Sequence, residues 1–414
     1  MGKVLAQWVK VLIEGLGAIE RVEVELKPLT VIVSKCTYFS SSLITALYLL
    51  ASSYPDFSKL NDFTVTEISR LCERAYSSAL KSNIQMLEEY TRKIFDLYLD
   101  GIGRLIAGSL SRRFKEFFNV DAANKVLKGF IKVFSDEAPY HVEIEPRGLD
   151  LAVSFKPLDK PLAKVEGLRH LRDGLGLSLS LLIGERELAR RDMFVKSPLD
   201  IASEFAYMTR IFADKLAPIS FGSRDSYLFT SDRASIMSDM PIAYGLTLGY
   251  GGRRISAKSQ ALISSYVEAA KKFKAELVEQ LEADLNLVLE ELGVKSFSLR
   301  FMASYPMLSL DLSWRDKVLL EDSPMEVRSC MPVVMSLLSE PSDFEVVFIE
   351  DVELNLHPRA SRSLMKLLVK SLLHWSSKGK KRFMVISTKS PEVLSALSEA
   401  MRDYSSLTAM IEAK

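Results

Sequence analysis

Residues Phe344 to Arg359 read FEVVFIEDVELNLHPR, and this stretch decides the fold class. Its first six residues are almost continuously apolar, which is typical of a strand buried on both faces of a parallel sheet. Glu350 and Asp351 follow that strand directly. Because proline fits the first turn of a helix, Pro358 marks the start of a helix that is predicted to run to about Ser376. The stretch therefore predicts a buried strand, an acidic pair and a helix, in that order.

Two other segments repeat the pattern of a buried strand followed by a helix. Leu29 to Val33 is a short β-branched run, and after a polar stretch the apolar residues recur at helical spacing from Leu43. Arg382 to Ser387 predicts another buried strand, and Pro391 to Arg402 predicts a helix. Strands that alternate with helices form parallel sheets covered by helices, so we expect an α/β fold.

The rest of the chain predicts both a helical region and antiparallel hairpins. Val4 to Glu14 and Ile19 to Leu26 read as two strands, whereas residues 58–135 read as mostly helical. Ala257 to Leu292 reads as one long amphipathic helix, whose Lys and Glu residues are most often a solvated face. We therefore predict four segments: 1–57 with the first strands and a loop, 58–135 as a helical lobe, 136–293 as β hairpins and a short helical arm, and 294–414 as the C-terminal part of the core.

Composition and charge exclude several classes of protein. The chain has 54 Lys and Arg residues against 53 Asp and Glu, so its net charge of +1 gives no electrostatic case for nucleic acid or membrane lipid as a partner. The longest apolar stretch, Leu43 to Ala51, is too short to cross a bilayer, and Met1 to Lys10 do not form a secretory signal. Three separated cysteines and four histidines argue against a disulfide framework and a zinc site. We expect a cytoplasmic protein that makes no membrane contact and binds no metal.

Three segments together resemble the nucleotide-binding heads of ABC-type ATPases, of the kind found in SMC-like and overcoming-lysogenisation-defect-like proteins. They are Thr30 to Val33 with the loop and helix after it, Val346 to Asp351, and Arg382 to Leu394. The stretch Ile349 to Arg359, with its acidic pair and His-Pro, is the most specific. The resemblance implies a P-loop NTPase fold: a mixed central sheet flanked by helices, an antiparallel lobe from the N-terminal strands, and a helical lobe inserted after the loop helix.

The phosphate loop of this family reads G-x-x-x-x-G-K-S/T, because glycines let the backbone wrap the phosphates and the lysine reaches their oxygens. The resemblance assigns this loop to Ser34, Lys35, Phe39, Ser40, Ser41 and Ser42. Phe39 replaces the second glycine and Ser40 the lysine, while Ser41 keeps the hydroxyl that ligates Mg²⁺. The lost lysine contact costs roughly 1.5 to 3 kcal/mol and the lost glycine roughly 1 to 2, so ATP affinity should fall by roughly two to three orders of magnitude. We expect no cofactor, and ATP with Mg²⁺ only if the chain is an active ATPase.

The acidic pair is the best preserved part of the site. By its position Glu350 would hold Mg²⁺ through water, and Asp351 would be the general base that orients the attacking water. Aspartate is one methylene shorter than the family's glutamate, so Asp351 would stand back from that water. A competing interpretation, which we favour, is that both carboxylates now serve as helix-start or hydrogen-bonding groups at the strand end. After the last core strand Lys389 replaces the family's sensor histidine, and lysine cannot relay a hydrogen bond as imidazole does.

The signature segment, which a partner head supplies in this family, is altered as well. Its matching stretch is Pro324 to Ser329. In the family, small residues let a helix N-terminus approach the γ-phosphate of the opposing head. Glu326 would instead place a negative charge against phosphate, so a nucleotide held by a partner should be bound badly from this side.

Several basic residues are weaker candidates for ligand contacts. Arg224 lies in a loop that resembles the family's central arginine loop, but such a residue is more often ion-paired at the surface. Lys35 is expected to face solvent rather than a partner's site. Short basic clusters at Lys378 to Arg382 and at Arg253 and Arg254 keep nucleic-acid binding as an alternative, mostly by family analogy.

The joint loss of phosphate-loop, signature and sensor residues predicts a catalytically degenerate ABC/SMC-like ATPase, or pseudo-ATPase. It would act as a scaffold or regulatory subunit, in DNA maintenance or defence, and would pair with itself or an active relative through the faces that ATP heads use. Two alternatives remain. One is a weak ATPase that uses Glu350 and Asp351, and the other is a module that binds nucleic acid or the ribosome in the vacated phosphate cleft.

Overall fold

A computed structural model of the chain describes residues 9–16, 18–52, 65–118, 130–135, 140–147, 150–157, 161–183, 186–219, 225–247, 255–302, 304–342, 344–402 and 408–412. The strands, in chain order, are β1 (Val9–Leu16), β2 (Ile19–Leu26), β3 (Leu29–Val33), β4 (Phe130–Ser135), β5 (Tyr140–Arg147), β6 (Asp150–Pro157), β7 (Pro161–Leu171), β8 (Gly174–Ile183), β9 (Arg186–Val195), β10 (Asp225–Phe229), β11 (Val294–Met302), β12 (Tyr305–Leu312), β13 (Val318–Leu319), β14 (Phe344–Ile349), β15 (Lys381–Thr388) and β16 (Thr408–Glu412).

The helices are α1 (Thr37–Ser52), α2 (Val65–Leu80), α3 (Ile84–Phe118), α4 (Pro198–Ile219), α5 (Arg233–Ser238), α6 (Met240–Thr247), α7 (Ala257–Lys271), α8 (Ala275–Gln280), α9 (Glu282–Glu291), α10 (Met325–Leu337), α11 (Pro358–Ser377) and α12 (Pro391–Ala400). Pro358 begins α11, as predicted from its fit to the first helical turn. None of these described helices combines the length and the apolar character that crossing a membrane would require.

The core of the fold is a five-stranded sheet in the order β10-β14-β15-β3-β16. Every neighbouring pair in it runs parallel, which requires crossover connections such as those that contain α1, α11 and α12. The expectation of a mixed central sheet is therefore corrected for the described strands, because the antiparallel pairs lie in separate sheets. β15 follows β14 in sequence but lies between β14 and β3, which brings the ends of all three strands together.

Strand β14 is buried on both faces of the core sheet, because its alternate side chains belong to two different apolar clusters. Val346 and Phe348 belong to one apolar cluster, which includes the N-terminal strands and helices α1 to α4. Val347 and Ile349 belong to a second cluster, built mainly from α7 to α12 and from β11 to β13. Successive side chains of a strand point to opposite faces, so a nearly continuous apolar run is what this position requires. The prediction of a strand buried on both sides is confirmed.

The three other sheets consist of antiparallel strands. The largest has the order β2-β1-β4-β5-β6 and confirms the antiparallel sheet predicted from the N-terminal strands. The predicted segment boundaries, however, do not coincide with the sheets. β4 comes from the segment predicted as helical and pairs with β1, and β10 comes from residues 136–293 and pairs with β14 in the core. Local periodicity cannot reveal such pairings, because the partner strands are far apart in sequence.

The single long helix predicted from Ala257 to Leu292 is wrong, because the chain forms the shorter helices α7, α8 and α9 there. At the first break the backbone N–H of Lys274 donates to the carbonyl of Leu338 at 3.1 Å. The N–H of Glu340 in turn donates to the carbonyl of Lys272 at 2.9 Å. These bonds to a distant segment interrupt the helix, although the apolar spacing that predicted it continues through the break.

Candidate functional site

The predicted residues of the phosphate loop, the acidic pair and the sensor position lie at the carboxyl edge of the core sheet, where β3, β14 and β15 end side by side. The backbone N–H of Asp351 donates to Ser387 Oγ at 2.9 Å, and that of Val352 donates to the Ser387 carbonyl at 3.0 Å. Ser41 Oγ of α1 donates to Glu350 Oε1 at 2.8 Å. The three sequence segments that carried the family resemblance are therefore in direct contact.

The segment assigned to the phosphate loop is a short turn followed by a helix. β3 ends at Val33 and α1 begins at Thr37, so only Ser34 to Cys36 lie between them. The Ser34 hydroxyl accepts a hydrogen bond from the Cys36 N–H at 3.0 Å and donates to the Cys36 carbonyl at 2.8 Å. The Ser40 N–H donates to that carbonyl at 3.3 Å. The N–H groups of Cys36 and Ser40 are thus used within the turn and the start of α1.

The other residues assigned to the loop are placed differently along this segment. Phe39 is half-buried and packs against the apolar cluster that contains α1. Ser40 is buried, Ser41 and Ser42 are half-buried, and Lys35 is exposed. Phe39, which the resemblance aligns with a glycine, therefore lies within a helix and packs against the core.

Glu350 is buried at the end of β14, and both oxygens of its carboxylate are hydrogen-bonded. Oε1 accepts from Ser41 Oγ at 2.8 Å and from Lys258 Nζ at 3.1 Å, and Oε2 accepts from the Ser231 N–H at 3.1 Å. The Glu350 N–H donates to the carbonyl of Phe229 at the end of β10, at 2.8 Å. For Glu350 the structure thus agrees with the interpretation that the carboxylate forms hydrogen bonds at the strand end. Its part in any reaction stays a prediction.

Lys258, at the start of α7, is a site residue that the sequence did not reveal. Its ammonium donates to Ser41 Oγ at 2.7 Å and to Glu350 Oε1 at 3.1 Å. Ser256 caps α7 by accepting from the Ser259 N–H at 3.0 Å, which sets the start of the helix and so the position of Lys258. The interpretation of this region's lysines as a solvated face is wrong for Lys258, which is bonded to Ser41 and Glu350. The cap is visible in the sequence, but the packing of α7 against β10 is not.

Asp351 and Lys389 lie beside each other at the same edge. Asp351 has a left-handed backbone conformation, with φ of 41°, which aspartate tolerates better than most residues. Its Oδ1 lies 3.6 Å from Lys389 Nζ. The Lys389 N–H donates to Glu353 Oε1 at 2.8 Å, so the residue at the sensor position is attached to the turn after β14. The structure therefore brings the two predicted residues together, with an ammonium facing the carboxylate.

Arg233 is a second residue that the sequence did not single out, and it is completely buried behind the acidic pair. Its guanidinium donates to five backbone carbonyls, those of Glu350 (2.7 Å), Ser329 (2.9 Å), Asp351 (2.9 Å), Thr230 (3.1 Å) and Val352 (3.4 Å). Burial lowers the pKa of Arg233, because the charged form is removed from water. The bonds hold the turn after β14 against the end of β10 and against α10.

The signature-like segment begins α10. Glu326 is exposed in the first turn of this helix, and its neighbour Met325 is 52% exposed. Ser329 is buried, and its hydroxyl donates to the carbonyl of Leu354 at 2.8 Å. A helix N-terminus stabilises an acid, but the same acid repels an approaching phosphate. The segment therefore exposes the carboxylate of Glu326 to any molecule that faces it, whereas Ser329 is buried.

Of the remaining basic candidates that the structure describes, Lys378 and Lys381 are exposed, Lys380 is half-buried and Arg382 is buried. Arg224, Arg253 and Arg254 lie outside the described residues. Arg382, which the sequence suggested as a contact for nucleic acid, is fully buried, and its Nε donates to Glu345 Oε1 at 2.7 Å. This correction follows from strand register, because Arg382 on β15 lies directly opposite Glu345 on β14.

Comparison with known proteins gives similarity to structures alone. No protein-family model and no curated protein matches the chain. An SMC head bound to the C-winged helix domain of ScpA is similar over 94% of this chain and 91% of its own, with a TM-score of 0.33 and 11% identity. The SMC head domain from Thermotoga maritima is similar over 94% of this chain and 92% of its own, with a TM-score of 0.32 and 10% identity. A third similar structure is an SMC head with an extended coiled coil, bound to the C-terminal domain of ScpA derived from Pyrococcus furiosus. The similarity covers 94% of this chain and 92% of that chain, with a TM-score of 0.29 and 11% identity. Because these scores are low, the fold of this chain rests on its own strand order and contacts.

Proposed function

We propose that this chain is a catalytically degenerate ATPase head of the ABC/SMC type that acts as a cytoplasmic scaffold or regulatory subunit. The closed turn from Ser34 to Cys36 carries the proposal, because α1 is already helical where a P-loop would wrap a triphosphate. Phe39 packs against the core and Ser40 stands in place of the lysine, so neither the flexible glycine nor the phosphate-binding charge is present there.

Mg-ATP does not fit the described residues of this edge. The ammonium of Lys258 lies between Ser41 and Glu350, the two groups that would share the metal ion in a P-loop enzyme. Glu326 would repel a nucleotide presented by a partner head. We therefore assign no reaction to Glu350, Asp351 or Lys389.

Protein contact is the role that remains for such a head. Tyr38 at the start of α1 is 81% exposed, and Met325 at the start of α10 is 52% exposed. Large exposed side chains of these types are enriched at protein interfaces. We propose that the two faces that carry Tyr38 and Met325 bind a second copy of the chain or an active relative, in DNA maintenance or defence.

Nucleotide binding and hydrolysis test the proposal directly. Calorimetry with Mg-ATP should give no micromolar affinity, and phosphate release should stay at background in the purified chain. Asp351→Asn is the control, because it removes the predicted base and keeps the volume of the side chain. A rate above background that is lost in Asp351→Asn would establish the weak ATPase instead.

Cys36 provides an independent probe, because it is exposed within the closed turn. Cys72 and Cys330 are buried, and burial raises the pKa of each to about 12, so their thiols should not react in the folded chain. We expect alkylation of Cys36 at the same rate with and without Mg-ATP, measured by mass spectrometry of the folded protein. Protection of Cys36 by Mg-ATP would contradict the closed turn.

The other alternative is that the chain binds nucleic acid or the ribosome. A pull-down with the intact chain as bait distinguishes this alternative from pairing with another head. Pairing predicts recovery of the same chain or of an ATPase relative after nuclease treatment. Recovery that depends on RNA or DNA would favour the nucleic-acid module.

A further inference from the structure

The ammonium of Lys258 lies between two oxygen groups that normally share a metal ion. In P-loop NTPases Mg²⁺ is held by the hydroxyl of the loop Ser or Thr and by the acid that ends the second motif strand. The corresponding groups here are Ser41 Oγ, 2.7 Å from Lys258 Nζ, and Glu350 Oε1, 3.1 Å from it. Ser41 Oγ also donates to Glu350 Oε1 at 2.8 Å, so the three atoms form a closed triangle.

The oxygen groups are arranged in advance by the fold. The side chain of Glu350 is only 3% exposed, and its Oε2 is fixed by the Ser231 N–H at 3.1 Å. Its backbone is held by Arg233, whose guanidinium donates to the Glu350 carbonyl at 2.7 Å. A carboxylate and a hydroxyl are hard oxygen ligands, which Mg²⁺ and Mn²⁺ bind together with several waters.

The side chain of Lys258, whose ammonium lies between these oxygen groups, is more exposed to solvent than that of Glu350. Lysine carries a compact point charge on a flexible stem and has three hydrogens to donate. The side chain of Lys258 is 29% exposed, so the ammonium reaches the site from the solvent side. An ion that entered this position would need to displace it.

We propose that Lys258 is a built-in cation that occupies a latent divalent-cation site formed by Ser41 and Glu350. The protein's own ammonium neutralises Glu350 and attaches the start of α7 to α1 and β14, so this edge of the sheet is held together without metal. This inference deepens the proposed function and rests on it, because it gives a reason why the degenerate head keeps its shape without Mg-ATP.

Removing the ammonium should expose the metal site. We expect Lys258→Ala to bind Mn²⁺ without nucleotide roughly 100-fold more tightly than the unaltered chain, because one positive charge leaves the immediate neighbourhood of Glu350. Free Mn²⁺ measured by electron paramagnetic resonance gives the affinity. Lys258→Ala should also melt roughly 3 to 6 °C lower in chelator, and Mn²⁺ or Mg²⁺ should restore part of that loss.

Three variants serve as controls for this titration. Lys258→Arg keeps a cation and should bind Mn²⁺ no better than the unaltered chain. The double variant Lys258→Ala with Glu350→Gln removes the metal ligand and should lose the gained affinity. Lys271→Ala, at the exposed end of the same helix, should leave both Mn²⁺ affinity and melting temperature unchanged.

Equal Mn²⁺ affinity in the unaltered chain and in Lys258→Ala would overturn the proposal, as would a gain in affinity that persists without the Glu350 carboxylate. If Lys258→Ala does not fold, Lys258→Met, which keeps the length of the stem, is used in the same titration and judged by the same outcomes. The measurement contains no nucleotide, so it is separate from the test of the proposed function. ATP hydrolysis by the unaltered chain would end the pseudo-ATPase proposal, whereas only the Mn²⁺ titration decides the role of Lys258.

Discussion

Strand β14 carries an acid paired with a base at each of its ends, and the two pairs differ in their access to solvent. At the amino end Glu345 Oε1 lies 2.7 Å from Arg382 Nε, and both side chains are 0% exposed. At the carboxyl end Glu350 Oε1 lies 3.1 Å from Lys258 Nζ, and the lysine side chain is 29% exposed. The guanidinium of Arg382 is therefore enclosed by the core, whereas the side chain of Lys258 is partly exposed to solvent.

The chemistry of the two bases fits this difference. Arg382 makes further bonds to the carbonyl of Ser339 (2.8 Å) and to its hydroxyl (3.1 Å), and a planar guanidinium holds such a set rigidly. Lys258 offers a flexible point charge to an acid and a hydroxyl. The comparison teaches that the cation at the amino end of β14 is fully buried between strands, whereas the cation at the carboxyl end is partly exposed to solvent.

The largest effect should come from the amino end. Glu345→Gln leaves the buried guanidinium of Arg382 without its counter-charge and should lower the free energy of unfolding by about 3 kcal/mol, measured by urea denaturation. Glu340→Gln, in an exposed pair with Lys274, is the matched control and should cost less than about 1 kcal/mol.

Replacing both partners by apolar residues extends this test. Glu345→Met combined with Arg382→Met should recover most of the lost stability, because no unpaired charge stays buried. A double variant that is as unstable as Glu345→Gln would show that the rigid hydrogen bonds, and not the unpaired charge, determine the cost.

A somewhat smaller effect is expected from Arg233 at the carboxyl end. Arg233→Met removes the donors to the carbonyls of Glu350 and Asp351 and should destabilise the chain by about 2 to 3 kcal/mol in the same denaturation experiment. Arg300→Met, at an exposed position on β11, is the control and should have almost no effect. A cost as small as that of the control would mean that the turn after β14 does not need these bonds.

Ser387 tests the side-chain hydrogen bond that joins β15 to Asp351. Ser387→Ala removes the acceptor for the Asp351 N–H at 2.9 Å and should cost about 1 kcal/mol. Hydrogen exchange of the Asp351 amide should become faster in this variant. Unchanged exchange there would contradict a role for Ser387 in holding the turn.

The smallest effect is expected for Lys389. Its ammonium is 3.6 Å from Asp351 Oδ1 and its side chain is 37% exposed, so Lys389→Met should change the unfolding free energy by less than about 1 kcal/mol. A cost comparable to that of Glu345→Gln would erase the distinction between the two ends of the strand.

Part of the site could be predicted from the sequence because its elements follow one another in a recognisable order. The strand before Glu350 and the helix after Ser41 each have a local signature, and strand ends of a parallel sheet meet at one edge. Lys258 could not be found in this way, since it lies 217 positions from Ser41 in the chain. Arg233 could not be found either, because no local pattern marks an arginine whose partners are backbone carbonyls.

The sequence by itself determined that β14 is buried on both faces, that an acidic pair follows it, and that Phe39 and Ser40 stand where the resemblance would place a glycine and a lysine. Those are local properties of residue type and spacing. Only the tertiary structure decided that α1 begins at Thr37, that α7 brings Lys258 to Glu350, and that Arg382 is enclosed beside Glu345. The physical reason is that burial and charge pairing depend on which distant segments pack together, and each pairing is set by the whole core rather than by neighbouring residues.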